Sequence, residues 1–306
     1  MDYDLIIVGG GTAGLTAALY ALRGGLKVLL LEGAVHGGQI VASPEVENYP
    51  ALPGVSGDEY AQKLLQQVRG AAAESQLTLK YQAVTGLKVE GVKKTAQTPK
   101  GEYSAPALIW AVGVNPRRLG CPGEEKFLGR GSSFCATCDG PLYRGQKVAV
   151  IGGGNTALEE ALFLAGICSG VHLLHRRGDF RAEQALQQKV LAEPKITLHF
   201  HTQVTAMLGE GRLSAVELQT PHGQEVLPVA AVFTAIGKLP ANQLLRPYTR
   251  LTADGYIDAA EDCLTDTHGL LAAGDCRAKP LRQLVTAAAD GAVAAEAAVS
   301  YLRSLQ

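Results

Sequence analysis

The stretch SSFCATCDG, Ser132 to Gly140, sets Cys135 and Cys138 two residues apart in the middle of the chain. A C-x-x-C of this kind can be half of a zinc site, a redox disulfide, or two core cysteines that are neighbours by accident. Zinc needs two more ligands at finger-like spacing. The nearest candidates, His199 and His201 of the HFH run, read as alternate residues on one face of a strand. No metal is therefore expected, and a redox dithiol fits better, with a helix start and a nearby acid to tune it. The remaining cysteines, Cys121, Cys168, Cys263 and Cys276, stand alone and read as core or incidental residues.

A dithiol needs a source of electrons, and the rest of the chain offers one. Its 306 residues, 47% hydrophobic and 19% charged, are enough for two globular domains with a large core. A net charge of −1 argues against broad binding to nucleic acid or anionic membrane. The longest apolar runs, such as DLIIV and KVLLL, are far too short to span a bilayer. Met1 leads almost directly into a strand-like run without a basic leader, so a reducing, cytoplasmic setting is expected.

The chain repeats itself. DLIIVGGGTAGLTAALYALRGGLKVLLLEG begins at Asp4, and KVAVIGGGNTALEEALFLAGICSGVHLLHRR begins at Lys147. Each reads as a buried strand, a glycine turn, a helix of about three turns and a second buried strand. Gly9, Gly11 and Gly14 fit G-x-G-x-x-G, and Gly152, Gly154 and Ala157 fit its G-x-G-x-x-A variant. In that motif a pyrophosphate sits on the unpaired N–H groups at the positive end of the helix. Two dinucleotides are expected. Glu32 closes the second strand of the first copy, where a carboxylate can accept bonds from ribose hydroxyls. The same offset in the second copy lands on His175, followed by Arg176 and Arg177, with Arg181 one turn further on if DFRAEQALQQKV is helical. Arginines there can bind a 2′-phosphate bidentately, so the second site should take NADP. The first is left for FAD, assisted by Gly274 and Asp275. These follow a short apolar strand at Leu270–Ala273 and precede a long Ala-rich helix starting near Leu281–Leu284.

These motifs together resemble the low-molecular-weight, bacterial-type thioredoxin reductases, and the resemblance covers nearly the whole chain. It is carried by GGGTAGLTAALYALR, GGQI, EVENYPALPG, CATCDG, GGGNTALEEALFL, HRRGDFRA and AAGDCRAKPLRQLVTAAADGAVAA, in the family's order. It implies an α/β protein of two Rossmann-like, three-layer domains, the second inserted in the first. The FAD-binding domain would be residues 1–112 and 244–306, and the NADPH-binding domain carrying the C-x-x-C would be 113–243. The Gly/Pro-rich stretches GVNPRRLGCPG and GKLPANQLLRP suit the joints. The resemblance further implies that Gly11, Glu32, Gly38, Gln39, Asn48, Asp275, Arg282 and Gln283 contact FAD, with Thr12, Gly113 and Gly274 beside them. Asn155, Thr156, His175, Arg176, Arg177 and Arg181 would line the NADPH site.

The resemblance also implies a mechanism and a homodimer. Electrons would pass from NADPH to the flavin, to the Cys135–Cys138 disulfide, and then by thiol–disulfide exchange to thioredoxin. Cys138 would face the flavin, Cys135 would attack the substrate, and Asp139 would protonate the departing thiolate; a turn or helix-cap residue is the alternative for Asp139. A rotation of the inserted domain would exchange dithiol and nicotinamide at one flavin face. Two stretches depart from the family pattern: Ala111-Val112-Gly113 replaces the common ATG, and Pro141-Leu142 replaces an aromatic pair on the thioredoxin-facing surface. Rival readings are a flavoprotein reducing another protein or small-molecule disulfide, a dithiol oxidase, and a flavin-bound sensor without turnover. The HRRxxxR pattern speaks against the oxidase and against a ferredoxin-driven enzyme. The start of the chain at the first strand speaks against a peroxiredoxin-reducing type with an extra N-terminal redox domain.

Overall fold

The structure is a computed structural model that describes residues 2–43 and 45–305. The chain forms two compact units, residues 1–115 with 239–306, and residues 116–238. In the first unit β1 (Leu5–Val8), α1 (Thr12–Arg23) and β2 (Val28–Glu32) make the first βαβ repeat. Then follow α2 (Gly57–Ala71), β3 (Leu77–Tyr81), a meander of β4 (Gly86–Glu90), β5 (Lys93–Thr98) and β6 (Gly101–Ala105), and β7 (Ala107–Trp110). The chain leaves this unit along β8 (Val114–Pro116).

The second unit opens with β9 (Ser132–Ser133) and the single turn α3 (Ala136–Asp139). The second repeat is β10 (Lys147–Ile151), α4 (Asn155–Ala165) and β11 (Gly170–Leu174), followed by α5 (Gln184–Ala192) and β12 (Ile196–His199). A meander of β13 (Gln203–Gly209), β14 (Leu213–Thr220) and β15 (Gly223–Pro228) leads to β16 (Ala231–Thr234). The chain returns through β17 (Lys238–Pro240) to complete the first unit with β18 (Leu270–Ala272) and α6 (Leu284–Ser304).

Each unit is built on a five-stranded parallel sheet, in the order β18-β7-β1-β2-β3 in the first and β12-β11-β10-β16-β9 in the second. The register Leu5↔Val28 and Lys147↔Gly170 places the two repeats on matching central strands. Both faces of each sheet are covered, which is why the strands read as continuous apolar runs rather than alternating ones. On one face Leu5, Ile7, Leu30 and Ile109 pack against Ala17, Ala18 and Ala21 of α1 and Ala294, Ala295 and Ala298 of α6. On the other, Ile6, Leu29, Leu108 and Trp110 meet Leu87, Ala96 and Ala105 of the meander. The second unit repeats this, with Val148, Val150 and Leu173 under α4 and Ala149, Leu174 and Val232 under β13–β15. Small residues bring α1 and α6 close: a Cβ on Gly291 would lie 2.3 Å from the Ala13 carbonyl oxygen. Both units are thus three-layer α/β sandwiches. Among the described residues no helix is long and apolar enough to cross a membrane.

Two local expectations fail. Strand β12 stops at His199, and His201 lies beyond it at φ 51°, so the two histidines do not share a strand face. His199 Nε2 instead lies 3.0 Å from His172 Nδ1 on the neighbouring strand. Nor is DFRAEQALQQKV helical from its start, since α5 begins only at Gln184. The segment before it is held extended by bonds to the second glycine turn: Arg181 N–H donates to Gly153 O at 2.8 Å, and Glu183 N–H to Asn155 Oδ1 at 2.9 Å.

Candidate active site

In the first repeat the turn between β1 and α1 needs glycine for two different reasons. Gly9 sits at φ 103°, a region that L side chains avoid. A Cβ on Gly14 would lie 1.8 Å from the Gly9 carbonyl oxygen, so the helix packs directly on the turn. Gly11 is different: a Cβ there would meet only Gly37 O, at 3.8 Å. It is the N-cap of α1 and supplies no side-chain cap, so the N–H groups from Thr12 onward remain available at the positive end of the helix. Tight packing behind and open space in front are what a bound pyrophosphate requires.

The other residues expected around this turn are held by specific bonds. Glu32 accepts from Gly10 N–H at 2.5 Å and Ala34 N–H at 2.7 Å, which fixes its carboxylate against the glycine turn. Gly38, at φ 68°, has its Cβ direction facing Gly11 Cα at 3.3 Å. Gln39 donates through Nε2 to the Val114 carbonyl. Gly113, at φ 65°, borders open space. Asn48 Nδ2 donates to Gln283 Oε1 at 3.0 Å, joining the ENYP loop to the N-cap of α6. Gly274 lies against α1, with its Cβ direction 2.8 Å from Ala13 Cβ, and Asp275 follows it. The Arg282 guanidinium lies 4.0 Å from the Tyr256 ring centroid and reaches the Asp275 carbonyl at 3.4 Å.

The second glycine turn repeats the construction. Gly152 is at φ 156° with its Cβ direction 2.5 Å from Ala235 O, while a Cβ on Gly154 would meet nothing within 4 Å. Gly154 is the uncapped N-cap of α4, whose first residues are Asn155 and Thr156. His175 is buried beneath this turn. Its Nε2 lies 3.1 Å from Asp179 O, and its ring occupies the space a Cβ on Gly153 would need. Burial holds its pKa below the ordinary value, with the Asp179 carbonyl opposing and Arg181 and Arg177 assisting, so the ring is neutral at pH 7. Arg176, Arg177 and Arg181 are exposed, and no ion pair among the described residues engages them. Three exposed guanidiniums outside any ion pair among the described residues have the charge and the fork geometry that a phosphate group needs.

Cys135 and Cys138 form a disulfide, with Cα atoms 5.3 Å apart. Its geometry is set by the turn around it. Asp139 N–H donates to Cys135 O at 3.1 Å, closing α3. Ser133, which nothing in the sequence singles out, organises the rest. Its hydroxyl donates to Asp139 Oδ2 at 2.6 Å and accepts from Cys135 N–H at 3.1 Å. The Asp139 carboxylate is thereby tied through Ser133 to the backbone of Cys135. The other four cysteines are unpaired, and Cys168, Cys263 and Cys276 are buried. Burial raises all three thiols, Cys263 and Cys276 to about 12, so they are inert at neutral pH. Among the described residues no group of three or more potential ligands could hold a metal.

A buried ion cluster, also unanticipated from sequence, supports the first site. Asp290 of α6 accepts from Gly274 N–H at 2.9 Å, from Arg277 Nε and Nη2 at 2.7 and 2.8 Å, and from Lys279 Nζ at 2.9 Å. The Gly274-Asp275 turn therefore hangs from a carboxylate on the helix that follows it. A lone acid inside TAAADGAVAA is the signal for it, since a charge on an otherwise small and apolar helix face needs a partner.

Two dinucleotide cradles on parallel sheets and a local disulfide define a pyridine nucleotide-disulphide oxidoreductase, and the sequence pattern of that family matches residues 3–292. A thioredoxin reductase from Treponema pallidum is 42% identical over 100% of this chain and 99% of its own length. One from Mycolicibacterium smegmatis is 40% identical over 98% of this chain and 96% of its own length. The crystal structure of thioredoxin reductase from Streptococcus pyogenes superposes with a TM-score of 0.93 at 34% identity, covering 99% of this chain and 98% of that one. The chain belongs to the low-molecular-weight thioredoxin reductases.

Proposed function

We propose that this chain reduces the disulfide of a thioredoxin with electrons from NADPH, through FAD and the Cys135–Cys138 pair. The observation that carries this reading is the company the disulfide keeps. It sits in the same unit as an open glycine turn and three unneutralised arginines, on a turn that fixes a carboxylate beside it.

The family uses FAD and NADPH. FAD, when bound, supplies a two-electron carrier between the nicotinamide and the cysteines. In the first unit, residues 1–112 and 244–306 of the proposed domain, Thr12 and Gly14 present helix N–H groups to its pyrophosphate across the turn formed by Gly9 and Gly11. Glu32 holds a ribose. Gly38, Gln39, Asn48, Gly113, Gly274, Asp275, Arg282 and Gln283 line the remainder. In the proposed domain 113–243, Gly152, Gly154, Asn155 and Thr156 cradle the NADPH pyrophosphate. Arg176, Arg177 and Arg181 hold the 2′-phosphate, and His175 props the turn from beneath.

Cys135 and Cys138 take up two electrons and one proton and become a thiol and a thiolate. Cys135, as thiolate, attacks a sulfur of the substrate disulfide to give a mixed disulfide, and Cys138 displaces the substrate by re-forming the internal bond. Asp139, oriented by Ser133, gives the departing thiolate its proton. The enzyme works as a homodimer in the cytoplasm, with a thioredoxin as its protein partner and neither nucleic acid nor membrane involved.

The test is NADPH-driven reduction of the organism's own thioredoxins by FAD-loaded enzyme, beside Cys135→Ser and Cys138→Ser. Wild type should turn over and both variants should retain FAD but be inactive. Flavin reduced by NADPH with no thioredoxin reduced would move the activity to another disulfide.

A further inference from the structure

Beneath the redox turn lies a carboxyl group that the steps above do not use. Glu160, on the inner side of α4, places Oε1 3.5 Å from the Ala136 N–H, a hydrogen bond at the long limit. Ala136 is fully buried and is the first residue of α3, directly after Cys135. Its N–H has no intrahelical acceptor. The second oxygen, Oε2, is buried without a hydrogen-bond partner among the described residues. An ionised carboxylate in that position has one lengthened bond to stabilise it, whereas the neutral acid loses little.

We propose that Glu160 is the proton-linked positioning residue of the redox pair, bracing the peptide between Cys135 and Ala136 and taking up a proton when the disulfide is reduced. The atoms and electrons balance as follows. Two electrons, supplied by NADPH in the proposed reaction, break the S–S bond. One proton goes to a cysteine to make a thiol, the other cysteine stays a thiolate, and a second proton goes to Glu160. The negative charge gained at sulfur is lost at the carboxyl, so the buried turn gains no net charge. When the S–S bond re-forms, two electrons pass to the substrate disulfide, and the thiol proton and the Glu160 proton leave with them.

The surroundings favour this exchange. Burial raises the Glu160 pKa to about 7, against opposing contributions from the Ala136 N–H and Lys238, with Glu159 on the same helix assisting. The α3 turn adds Cys135, Cys138 and Asp139. The other elements packed on α4, namely α5 and strands β10, β11 and β12, place no charge against it among the described residues. A thiolate on that turn disfavours a second negative charge nearby and pushes the carboxyl toward its neutral form.

The inference rests on Cys135–Cys138 being the redox couple. It is tested with wild-type holoenzyme and Glu160→Gln, which keeps an acceptor oxygen for Ala136 N–H but cannot change charge. Both are equilibrated in dithiothreitol redox buffers from about pH 6 to 9, and the Cys135–Cys138 peptide is read by thiol trapping and mass spectrometry. Wild type should take up more protons per disulfide reduced than the variant above about pH 7, approaching one extra. Equal proton counts overturn the proposal. Should the variant not fold, the reduced-minus-oxidised infrared spectrum of wild type decides. A protonated carboxyl band that grows on reduction and shifts with 13C-glutamate labelling upholds it and separates it from Asp139, and absence of that band overturns it. If NADPH leaves the pair oxidised in wild type, the redox reading itself falls and this inference with it.

Discussion

Asp290 offers the sharpest quantitative test of the architecture around the first dinucleotide site. The side chains of Asp290, Arg277 and Lys279 are only 7%, 4% and 3% exposed, so Asp290 is the buried carboxylate both cations share; Arg277 also meets the exposed Glu261 at 3.7 Å. Replacing Asp290 with Ala takes the buried partner from both, leaves Arg277 only the exposed Glu261 carboxylate, and deprives Gly274 N–H of its acceptor. Removing one partner from a buried ion pair costs about 3–5 kcal/mol. At ~2–4 °C per kcal/mol for a unit of this size, the midpoint of melting should fall by roughly 6–20 °C. The chain has one tryptophan, Trp110, 2% exposed on the central sheet of the same unit, so its fluorescence reports that unit's melting in apoprotein. The triple variant Asp290→Leu, Arg277→Met, Lys279→Met removes all three charges and should lie within about 2 kcal/mol of wild type, because a buried ion network is often no more stable than a packed apolar one. Burial by itself raises the Asp290 carboxyl, but the bonds from Arg277 and Lys279 outweigh it and hold the group below the usual carboxylate range. A depressed folded pKa means that this stabilisation is complete above about pH 3.9 and is lost as pH falls through the folded value. The gap between wild type and Asp290→Ala should therefore close at strongly acid pH. A single variant melting within about 1 °C of wild type, or a triple variant as unstable as the single one, would refute the reasoning.

Two further outcomes concern the cradles. Gly14→Ala should unfold or distort the first unit even without cofactor, because its Cβ would sit 1.8 Å from a backbone oxygen; Gly11→Ala should leave the apoprotein melting point unchanged and weaken FAD binding, measured by fluorescence titration. The double variant Arg176→Ala, Arg181→Ala should raise the KM for NADPH far more than that for NADH, each lost charge-assisted contact costing about 1.5–3 kcal/mol; equal effects on the two cofactors would remove the phosphate role.

The two βαβ repeats are legible in the sequence because every determinant is local. Buried parallel strands read as apolar runs, and the turn between Gly9 and Gly14 must be glycine-rich wherever the helix is to touch the strand. Legibility ends where partners are distant or competing. The helix expected from Asp179 is displaced to Gln184 by Arg181 and Glu183 bonding to the glycine turn, a tertiary effect that outweighs helix propensity. Alternation predicts a common face for His199 and His201, yet the strand ends between them. Ser133, Glu160 and Asp290 are ordinary residues in ordinary stretches, and their importance comes only from what the fold sets opposite them. Of the three, Asp290 alone leaves a trace, as an acid in an alanine run.

The first unit is discontinuous in the chain, and that has a consequence for synthesis. Its sheet lacks β18, and its α1 lacks the α6 that covers Ala17, Ala18 and Ala21, until the last 40 or so residues have been made. At about 5–20 residues per second, the segment between β7 and β18 takes roughly 8–30 s to emerge. The contiguous unit, residues 116–238, can close in that interval. The half holding the first cradle meanwhile waits with an apolar helix face and an open sheet edge exposed, and in a nascent chain it is the part most open to misassociation.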